Sequence, residues 1–402
     1  MNPYKQKGFS FGVRKKALML WWLSVCVVLH FNCKENNQPV ASTPKFITPV
    51  YTTIELSRKP DSLHFPLSKN TFNEIKSFNY FTYHNTSYIS FYDRLSESTI
   101  IYDFLTKQLV KKIDLKKIIN KKGMFKASVY VKNFDSIFVT HSTDLYLLDS
   151  SGTIKKSIPF FKEKESFAFF ETTLPVLIKD NTVYMGVRAF VNETSLKAIK
   201  KWKILYGFDF HNEAKAVYYS LPPVYSKGLY GRRFMEYSYC YNNKGNFVFS
   251  FPADTNIYET NLADYHIAFY AKSKYQQGSV EPVSKEALEK DEGQKEYVLR
   301  DCYGPVFYDP YKKRYLRFFK QKVNREAYES KDYDRQVSVI VLNEQFKVIG
   351  EFMFKKDYSY DTIFFTPDGG IYARVNAKDE HALHFVRLAW NDENESMPLT
   401  KK

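Results

Sequence analysis

One strand–turn–strand unit recurs along this chain and constrains its fold more than any other feature. The clearest copy is Ser98–Leu115 (STIIYDFLTKQLVKKIDL), in which two strand-like runs flank a polar turn at Leu105–Gln108. Asp103 leads into the turn, where an aspartate can accept a hydrogen bond from a backbone amide two residues on. The unit returns at Leu205–Leu221, with Asp209 in the place of Asp103. The chain is therefore built from repeated antiparallel hairpins.

A shorter motif, a turn residue followed by alternating aromatic and aliphatic residues, marks six such units. Its copies begin at Ser87, Ser136, Thr182, Asn246, Arg314 and Gly370, and their first apolar residues are spaced 49, 46, 64, 68 and 56 apart. Blades of a β-propeller typically run about 40–50 residues. The spacing predicts an all-β chain folded as a six-bladed β-propeller. Two β-sandwich domains are the alternative, but no linker is visible between residues 60 and 390.

The last unit runs out before its outer strand. The early segment Ser62–Leu67 (SLHFPL) has a strand pattern and no partner nearby in sequence, so we expect it to complete that blade. Joining the two ends of the chain in one sheet would leave no open edge in the ring.

The excess length of the third to fifth units has visible sources. Asn192–Lys203 and Ser284–Lys290 read as short inserted helices, the second one capped by Ser284. Val323–Arg335 reads as a polar loop.

The amino-acid composition agrees with an all-β fold and argues against a nucleic-acid partner. Aromatic residues make up 18% of the chain, with 32 Tyr and 35 Phe, and such residues suit the half-buried surface of a sheet. The formal net charge is +15. The lysines are scattered along strands and turns, which favours a solvated surface over a nucleic-acid site. We therefore expect no nucleic-acid partner.

The amino terminus reads as an export signal covering residues 1–33. A basic stretch precedes an apolar run of 15 residues, Ala17–Phe31, which suits a signal peptide and is short for a membrane-spanning helix. Asn32 and Cys33 follow the run, and Cys33 resembles the lipidated cysteine of a bacterial lipoprotein. The lipobox is imperfect, because His30 and Asn32 stand where leucine and a small residue are usual.

These features divide the chain into four parts. They are a signal at 1–33, a polar tether at 34–44, the propeller at 45–391 and a polar tail at 392–402. A cleaved secreted protein and an uncleaved anchor are the alternatives to a lipoprotein. The expected location is the cell envelope, lipid-anchored to the outer membrane on its periplasmic or surface face.

A family resemblance rests on the lipoprotein-like start, the SLHFPL strand and the blade Thr86–Ile113 (TSYISFYDRLSESTIIYDFLTKQLVKKI). Together they resemble an uncharacterised family of Bacteroidetes-type lipoproteins, a domain of unknown function, over about Ser62 to Trp390. The resemblance implies a propeller-like β fold. It implies no catalytic residues, because none is assigned in that family.

Motifs of known chemistry are absent from the body of the chain. A G-x-S-x-G pattern occurs at Gly8–Gly12, but it lies inside the export signal and not at a strand-to-helix elbow. No P-loop, HExxH, EF-hand loop, CxxC or sialidase-type Asp box is present. His381 and His384 are three apart, which on a strand places them on opposite faces. We expect no metal and no cofactor.

Two cysteines lie in the body, Cys240 and Cys302. In an exported protein they could form a disulfide. Their aromatic neighbours are equally typical of buried free thiols. Both readings stay open at this point.

The candidate ligand site is the loop Leu221–Phe234 (LPPVYSKGLYGRRF), which should cross one face of the disc near the central funnel. Aromatic rings for stacking and forked donors for a carboxylate or phosphate come together there. The candidate ligand-binding residues are Tyr225, Tyr230, Arg232 and Arg233, with Arg188 and His141 expected on the same face at the ends of second strands. The alternative is that the arginines pair with neighbouring acids and the tyrosines pack.

Together these predictions describe a lipid-anchored envelope propeller that binds a ligand or partner protein without catalysis. The expected ligand is an anionic glycan or a peptide carboxylate. One alternative is an enzyme acting on envelope or extracellular glycans or peptides. Another is a structural subunit of an outer-membrane complex.

Overall fold

The computed structural model describes residues 43–119, 127–141, 144–159, 166–189, 191–376 and 380–391. The predicted export signal with Cys33, nearly all of the tether and the polar tail lie outside these ranges. Within them the strands form six antiparallel sheets, each the blade of a ring, which confirms the six-bladed propeller.

The first three blades follow one another along the chain. Blade 1 consists of β2 (Ile75–Tyr83), β3 (Thr86–Asp93), β4 (Ser98–Asp103) and β5 (Leu109–Asp114). Blade 2 consists of β6 (Ser128–Asn133), β7 (Ser136–His141), β8 (Asp144–Leu148) and β9 (Ile154–Pro159). Blade 3 consists of β10 (Ser166–Phe169), β12 (Thr182–Ala189), β13 (Lys203–Asp209) and β14 (Lys215–Ser220), with β11 (Leu177–Lys179) as an extra pairing on β12.

The last three blades repeat this order. Blade 4 consists of β15 (Ser238–Tyr241), β16 (Phe247–Ser250), β17 (Asn256–Thr260) and β18 (His266–Tyr270). Blade 5 consists of β19 (Cys302–Asp309), β20 (Arg314–Lys320), β21 (Val337–Leu342) and β22 (Val348–Met353). Blade 6 consists of β23 (Tyr358–Phe365), β24 (Ile371–Val375), β25 (Ala382–Trp390) and β1 (Leu56–Pro66). The six recurring motifs of the sequence are the second strands of the six blades.

The ring closes as the sequence predicts. The outer strand of the last blade is β1, and it pairs antiparallel with β25 in a register that sets Phe65 opposite Leu383. His64 faces His384 across this pair, with their Nδ1 atoms 2.7 Å apart. The partner of His384 is thus on the other end of the chain and is not His381.

The turn chemistry follows from the repeated aspartate. The Asp103 carboxylate accepts hydrogen bonds from the Leu105 and Thr106 amides at 2.9 and 2.7 Å. Asp209 does the same for the His211 amide at 2.7 Å. These bonds satisfy amides that the hairpin leaves without a strand partner, so the same short turn works in blades 1 and 3.

Short helices interrupt the blade pattern. They are α1 (Lys116–Ile119), α2 (Leu196–Lys201), α3 (Lys285–Glu289), α4 (Gly293–Val298) and α5 (Arg325–Glu329). The two predicted insertions become α2 and α3, whose caps are Ser195 and Ser284. The prediction of a polar loop over Val323–Arg335 is wrong in part, because this segment contains α5, which Asn324 caps. No helix in the described part of the chain is both long and apolar enough to span a membrane.

Inner strands set the axis of the ring. Each blade contributes its first strand to the centre, where β2 contacts β6 and β23, and β19 contacts β15 and β23. Aromatic rings fill the wedges between blades; for example, the rings of Tyr219 and Phe249 stack 4.3 Å apart between blades 3 and 4. Each blade reverses direction at every hairpin, so first strands begin and second strands end on the same face of the disc. The connections between blades cross that face too.

Candidate functional site

A cavity of about 500 Å³, here called the funnel, opens where the inner strands begin. Its wall includes Ser238 at the start of β15, Tyr303 and Gly304 near the start of β19, and Thr362 of β23. This is the face that carries the connections between blades. Propellers position variable loops around such a funnel on a rigid frame.

Three cations reach the funnel from equivalent strand positions. Arg188 is the penultimate residue of β12, Lys320 is the last residue of β20, and Arg374 is the penultimate residue of β24. Each is thus at the end of the second strand of its blade. All three side chains are half-buried.

Two of these cations lie against aromatic rings. The Arg188 guanidinium lies 4.7 Å from the centre of the Phe169 ring. The Lys320 ammonium lies 4.4 Å from the centre of the Tyr360 ring and donates to the Tyr297 hydroxyl at 3.4 Å.

The third cation is the most constrained. Arg374 donates through Nη2 to the backbone and side-chain oxygens of Asn73, while its buried Nε has no partner among the described residues. Burial lowers the pKa of the Arg374 guanidinium, and the nearby carboxylate of Glu74 opposes that shift. An anion brought into the funnel would relieve the cost of holding this charge away from water.

Acidic residues line the funnel as well. Four carboxylates are present, from Glu74, Glu171, Glu236 and Asp361. Glu74 and Glu236 lie just before the first strands β2 and β15, Asp361 lies within β23, and Glu171 follows β10. The site can therefore bind a polar ligand through both donors and acceptors.

The predicted loop does reach this site, through Arg233. That residue lies in a 3₁₀ turn, Arg232–Met235, and lines the funnel. Its guanidinium donates to Gln294 at 2.8 Å and forms an ion pair with Glu236 at 3.2 Å. With half of the side chain exposed, this pair contributes only about 0.2–1 kcal/mol. The alternative in which an arginine pairs with a neighbouring acid thus describes Arg233.

The two tyrosines of the loop are not stacking surfaces for a ligand. Tyr225 is 2% and Tyr230 is 4% exposed, and their ring centres lie 5.3 Å apart. The Tyr225 hydroxyl donates to the Phe234 carbonyl and accepts from the Ala253 amide. Both rings belong to the aromatic core beneath the loop, where burial stabilises them, so this part of the predicted site is wrong. An edge of Tyr230 also lines a cavity of about 310 Å³ apart from the funnel.

His141 and Arg232 lie on the expected face but not in the funnel wall. His141 ends β7 and is 4% exposed, so it is packed and does not face the opening. Arg232 is exposed, and its backbone amide donates to the Glu193 carboxylate.

A second cavity of about 300 Å³, here called the side pocket, adjoins the funnel. Its walls are mostly apolar, and Leu174, Arg188, Glu236 and Tyr237 line both cavities. The side-pocket wall is completed by Phe169, Val187, Val191, Asn192, Glu193, Trp202, Arg232 and Met235.

Trp202 is the wall residue with an unusual environment. It caps the C-terminal end of α2, is 9% exposed, and packs edge-on to Tyr237 with ring centres 6.5 Å apart. Its buried Nε1 has no hydrogen-bond partner among the residues that the structure describes. The Tyr237 hydroxyl, by contrast, accepts from the Val187 amide at 3.0 Å and donates to the Ile204 carbonyl.

The body cysteines are free thiols. Cys240 lies in the apolar cluster between blades 4 and 5, whereas Cys302 lies in the aromatic cluster that includes Tyr225. Each is buried in its own cluster, which corrects the possibility of a disulfide between them. Burial raises the pKa of the Cys240 thiol well above its ordinary value.

Within the described ranges, no group of three or more His, Cys, Asp or Glu side chains is arranged to hold a metal ion. The site residues that sequence reasoning missed are Lys320, Arg374 and Trp202. A signal for the first two was present, because they occupy the same position in their blades as Arg188. Trp202 stood at the end of a predicted inserted helix, but its burial beside the funnel depends on packing between distant segments.

Comparison with known proteins identifies the family. The family DUF4221, described as a domain of unknown function, matches residues 53–352. A crystal structure of a DUF4221 member from Bacteroides vulgatus ATCC 8482 has a TM-score of 0.71 at 21% identity, covering 85% of this chain and 99% of that one. These findings confirm the resemblance seen in the sequence. No curated protein has significant sequence similarity to the chain.

More distant structural likenesses are also found. A luciferin-regenerating enzyme has a TM-score of 0.43 at 8% identity, covering 82% of this chain and 95% of that one. Virginiamycin B lyase from Staphylococcus aureus has a TM-score of 0.40 at 9% identity, covering 84% and 99%. Likenesses this remote carry nothing about the activity of the present chain.

Proposed function

This chain belongs to the DUF4221 family, and we propose that it is a lipid-anchored binding protein of the cell envelope whose funnel holds an anionic ligand without catalysis. The negative charge of the ligand is inferred from one observation. Arg188, Lys320 and Arg374 converge on the funnel, and none takes part in an ion pair among the described residues.

The polar and aromatic character of the wall supports a ligand with hydroxyl or amide groups as well as charge. Tyr297, Tyr303 and Tyr360 line the funnel beside the cations, and four carboxylates can accept hydrogen bonds. Such a wall suits an acidic oligosaccharide, since sugar rings contact aromatic faces and their hydroxyl groups bond to carboxylates. An acidic peptide is the competing ligand.

Binding to two small probes tests this proposal. The full chain in detergent is titrated calorimetrically with tri-galacturonate and with tri-glutamate. We expect tri-galacturonate to bind, and Lys320→Gln or Arg374→Gln to weaken it roughly tenfold or more, as loss of a charge-assisted hydrogen bond does. Arg325→Gln, an exposed arginine of α5, is the matched control.

Four outcomes would contradict it. Binding of tri-glutamate alone would replace the glycan with a peptide. No binding of either probe would contradict a ligand site in the funnel. Binding that both funnel substitutions leave unchanged would contradict it as well. Recovery of a cleaved or altered probe after prolonged incubation would show an enzyme instead.

The lipid anchor is proposed on Cys33, from its place at the end of the apolar run. Lys45 is fixed at blade 4, where its amide donates to the Ala268 carbonyl at 2.8 Å. The eleven residues between these positions make twelve Cα–Cα steps, which can span at most roughly 40 Å. An anchor at Cys33 would therefore tether the propeller within that reach of the membrane surface.

Metabolic labelling with a fatty acid tests the anchor. The wild-type chain should be labelled and should fractionate with the outer membrane, whereas Cys33→Ala should be unlabelled. Equal labelling of both, or a wild-type chain found only in soluble fractions, would contradict the anchor and leave the funnel proposal standing.

A further inference from the structure

We infer that the side pocket binds the aryl end of a carboxylate ligand whose carboxylate lies against Arg188. This inference rests on the proposed function, because Arg188 lines both the funnel and the side pocket. It adds that part of the ligand is apolar and enters blade 3 rather than the ring axis.

The wall of the side pocket is largely apolar. Its inner part is formed by apolar side chains that are at least nine-tenths buried. They are Phe169, Leu174, Val187, Trp202, Met235 and Tyr237. Three of these are aromatic and one is a methionine, whose sulfur makes favourable contacts with ring edges. This lining favours an aromatic occupant.

The size of the pocket limits that occupant. Its volume of about 300 Å³ is at the small end of ligand pockets, which run from about 300 to 1,000 Å³. It has room for one ring with a short chain and not for a polymer. A larger ligand would leave its remaining part in the adjoining funnel.

Charge at the rim orients the occupant. The Arg188 guanidinium lies over Phe169, one of the apolar walls, and belongs to no ion pair among the described residues. A carboxylate on Arg188 would leave an attached ring within reach of Trp202 and Tyr237. The second cation of the rim, Arg232, is exposed and can approach the same group.

The indole of Trp202 supplies an independent observation. Its Nε1 is buried and has no partner among the described residues, which is uncommon for a buried donor. An acceptor atom on a ligand in this pocket would give that donor a partner. The same nitrogen makes the residue a reporter of occupancy.

The test uses 4-phenylbutyrate as the probe and fluorine NMR as the readout. The full chain contains four tryptophans, so labelling with 5-fluorotryptophan gives a resonance for Trp202 that Trp202→Phe assigns and one for Trp390 as a reference. We expect 4-phenylbutyrate to shift the Trp202 resonance saturably and to leave that of Trp390 unchanged. An unchanged Trp390 resonance also shows that each variant is folded around β25.

Two substitutions distinguish the effect of the Arg188 charge from the effect of the space inside the side pocket. Arg188→Gln should weaken 4-phenylbutyrate at least roughly tenfold. It should have little effect on the neutral analogue 4-phenylbutan-1-ol. Val191→Phe, at the half-buried rim, should block both probes by filling the pocket. Val191 does not line the funnel, so this variant should still bind tri-galacturonate.

The inference would be overturned by a Trp202 resonance that does not respond. It would also be overturned by equal responses in wild type, Arg188→Gln and Val191→Phe. Loss of tri-galacturonate binding alone would instead count against the funnel, since it leaves the phenylbutyrate result in place. The two proposals therefore fail separately.

Discussion

Arg317 is the residue whose replacement should destabilise the ring most clearly. It lies on β20 with no exposed surface, and its guanidinium bridges blade 5 to blade 4. It donates to the Asp254 carbonyl at 2.6 Å and the Ala271 carbonyl at 3.2 Å. It also donates to the Thr255 carbonyl at 2.7 Å and lies 3.8 Å from the centre of the Tyr303 ring.

The cost of Arg317→Met can be worked from these contacts. The Thr255 carbonyl keeps a hydrogen bond from the Ala271 amide at 3.3 Å, so two carbonyls, those of Asp254 and Ala271, lose the donor that Arg317 supplies. Each unsatisfied buried carbonyl costs about 1–3 kcal/mol. The expected loss in free energy of unfolding is therefore about 2–6 kcal/mol, or a fall in Tm of roughly 5 °C for a domain of this size.

The assay is thermal unfolding followed by circular dichroism, with Arg325→Met as the exposed control. Burial lowers the pKa of the Arg317 guanidinium to about 10, and the neighbouring Tyr303 opposes the shift. The group therefore stays charged in both folded and unfolded chains below about pH 9. The difference in Tm between the two variants should then be the same at pH 6 and pH 8. Equal melting of Arg317→Met and Arg325→Met would refute the bridge.

Three further predictions concern the frame of the ring. In Gly350→Ala the new Cβ would clash with the Ile54 carbonyl oxygen, so the segment around Ile54 should move away from β22. Limited proteolysis should then cleave that segment sooner, and unchanged cleavage would contradict this packing. Asp103→Asn should cost about 0.5–1.5 kcal/mol at pH 7. Amides of its own turn lower the folded pKa of Asp103, so the gap in urea midpoints should shrink as pH falls through that value, and a gap independent of pH would be a contrary result. Alkylation in denaturant without reductant should modify both Cys240 and Cys302, and a peptide pair linked between them by mass spectrometry would contradict the free thiols.

The frame could be predicted from the sequence because its determinants are local and repeated. An aspartate that satisfies the amides of its own turn needs no distant partner. A few consecutive residues therefore determine the turns at Asp103 and Asp209. The pairing of β1 with β25 could be predicted for a related reason. A blade lacking its outer strand and an unpartnered strand at the other end of the chain imply each other.

Burial and pairing between distant segments could not be predicted in this way. Tyr225 reads as an exposed loop aromatic, yet it fills the core because Ala253, from the next blade, meets its hydroxyl. Arg317 reads as one more basic residue on a strand, and its burial depends on the carbonyls of blade 4 that accept its hydrogen bonds. Such contacts join residues dozens of positions apart, and no local pattern records them.

The candidate site follows from where the blades depart from their regular length. The first two spacings of the motif are 49 and 46, whereas the later three are 64, 68 and 56. The extra residues supply Trp202 beside α2 and Tyr297 in α4, which line the side pocket and the funnel respectively. A blade needs only about 40–50 residues, so these insertions are not required to close the ring. Because they converge on one face, beside cations at the ends of second strands, we propose this face as the binding face.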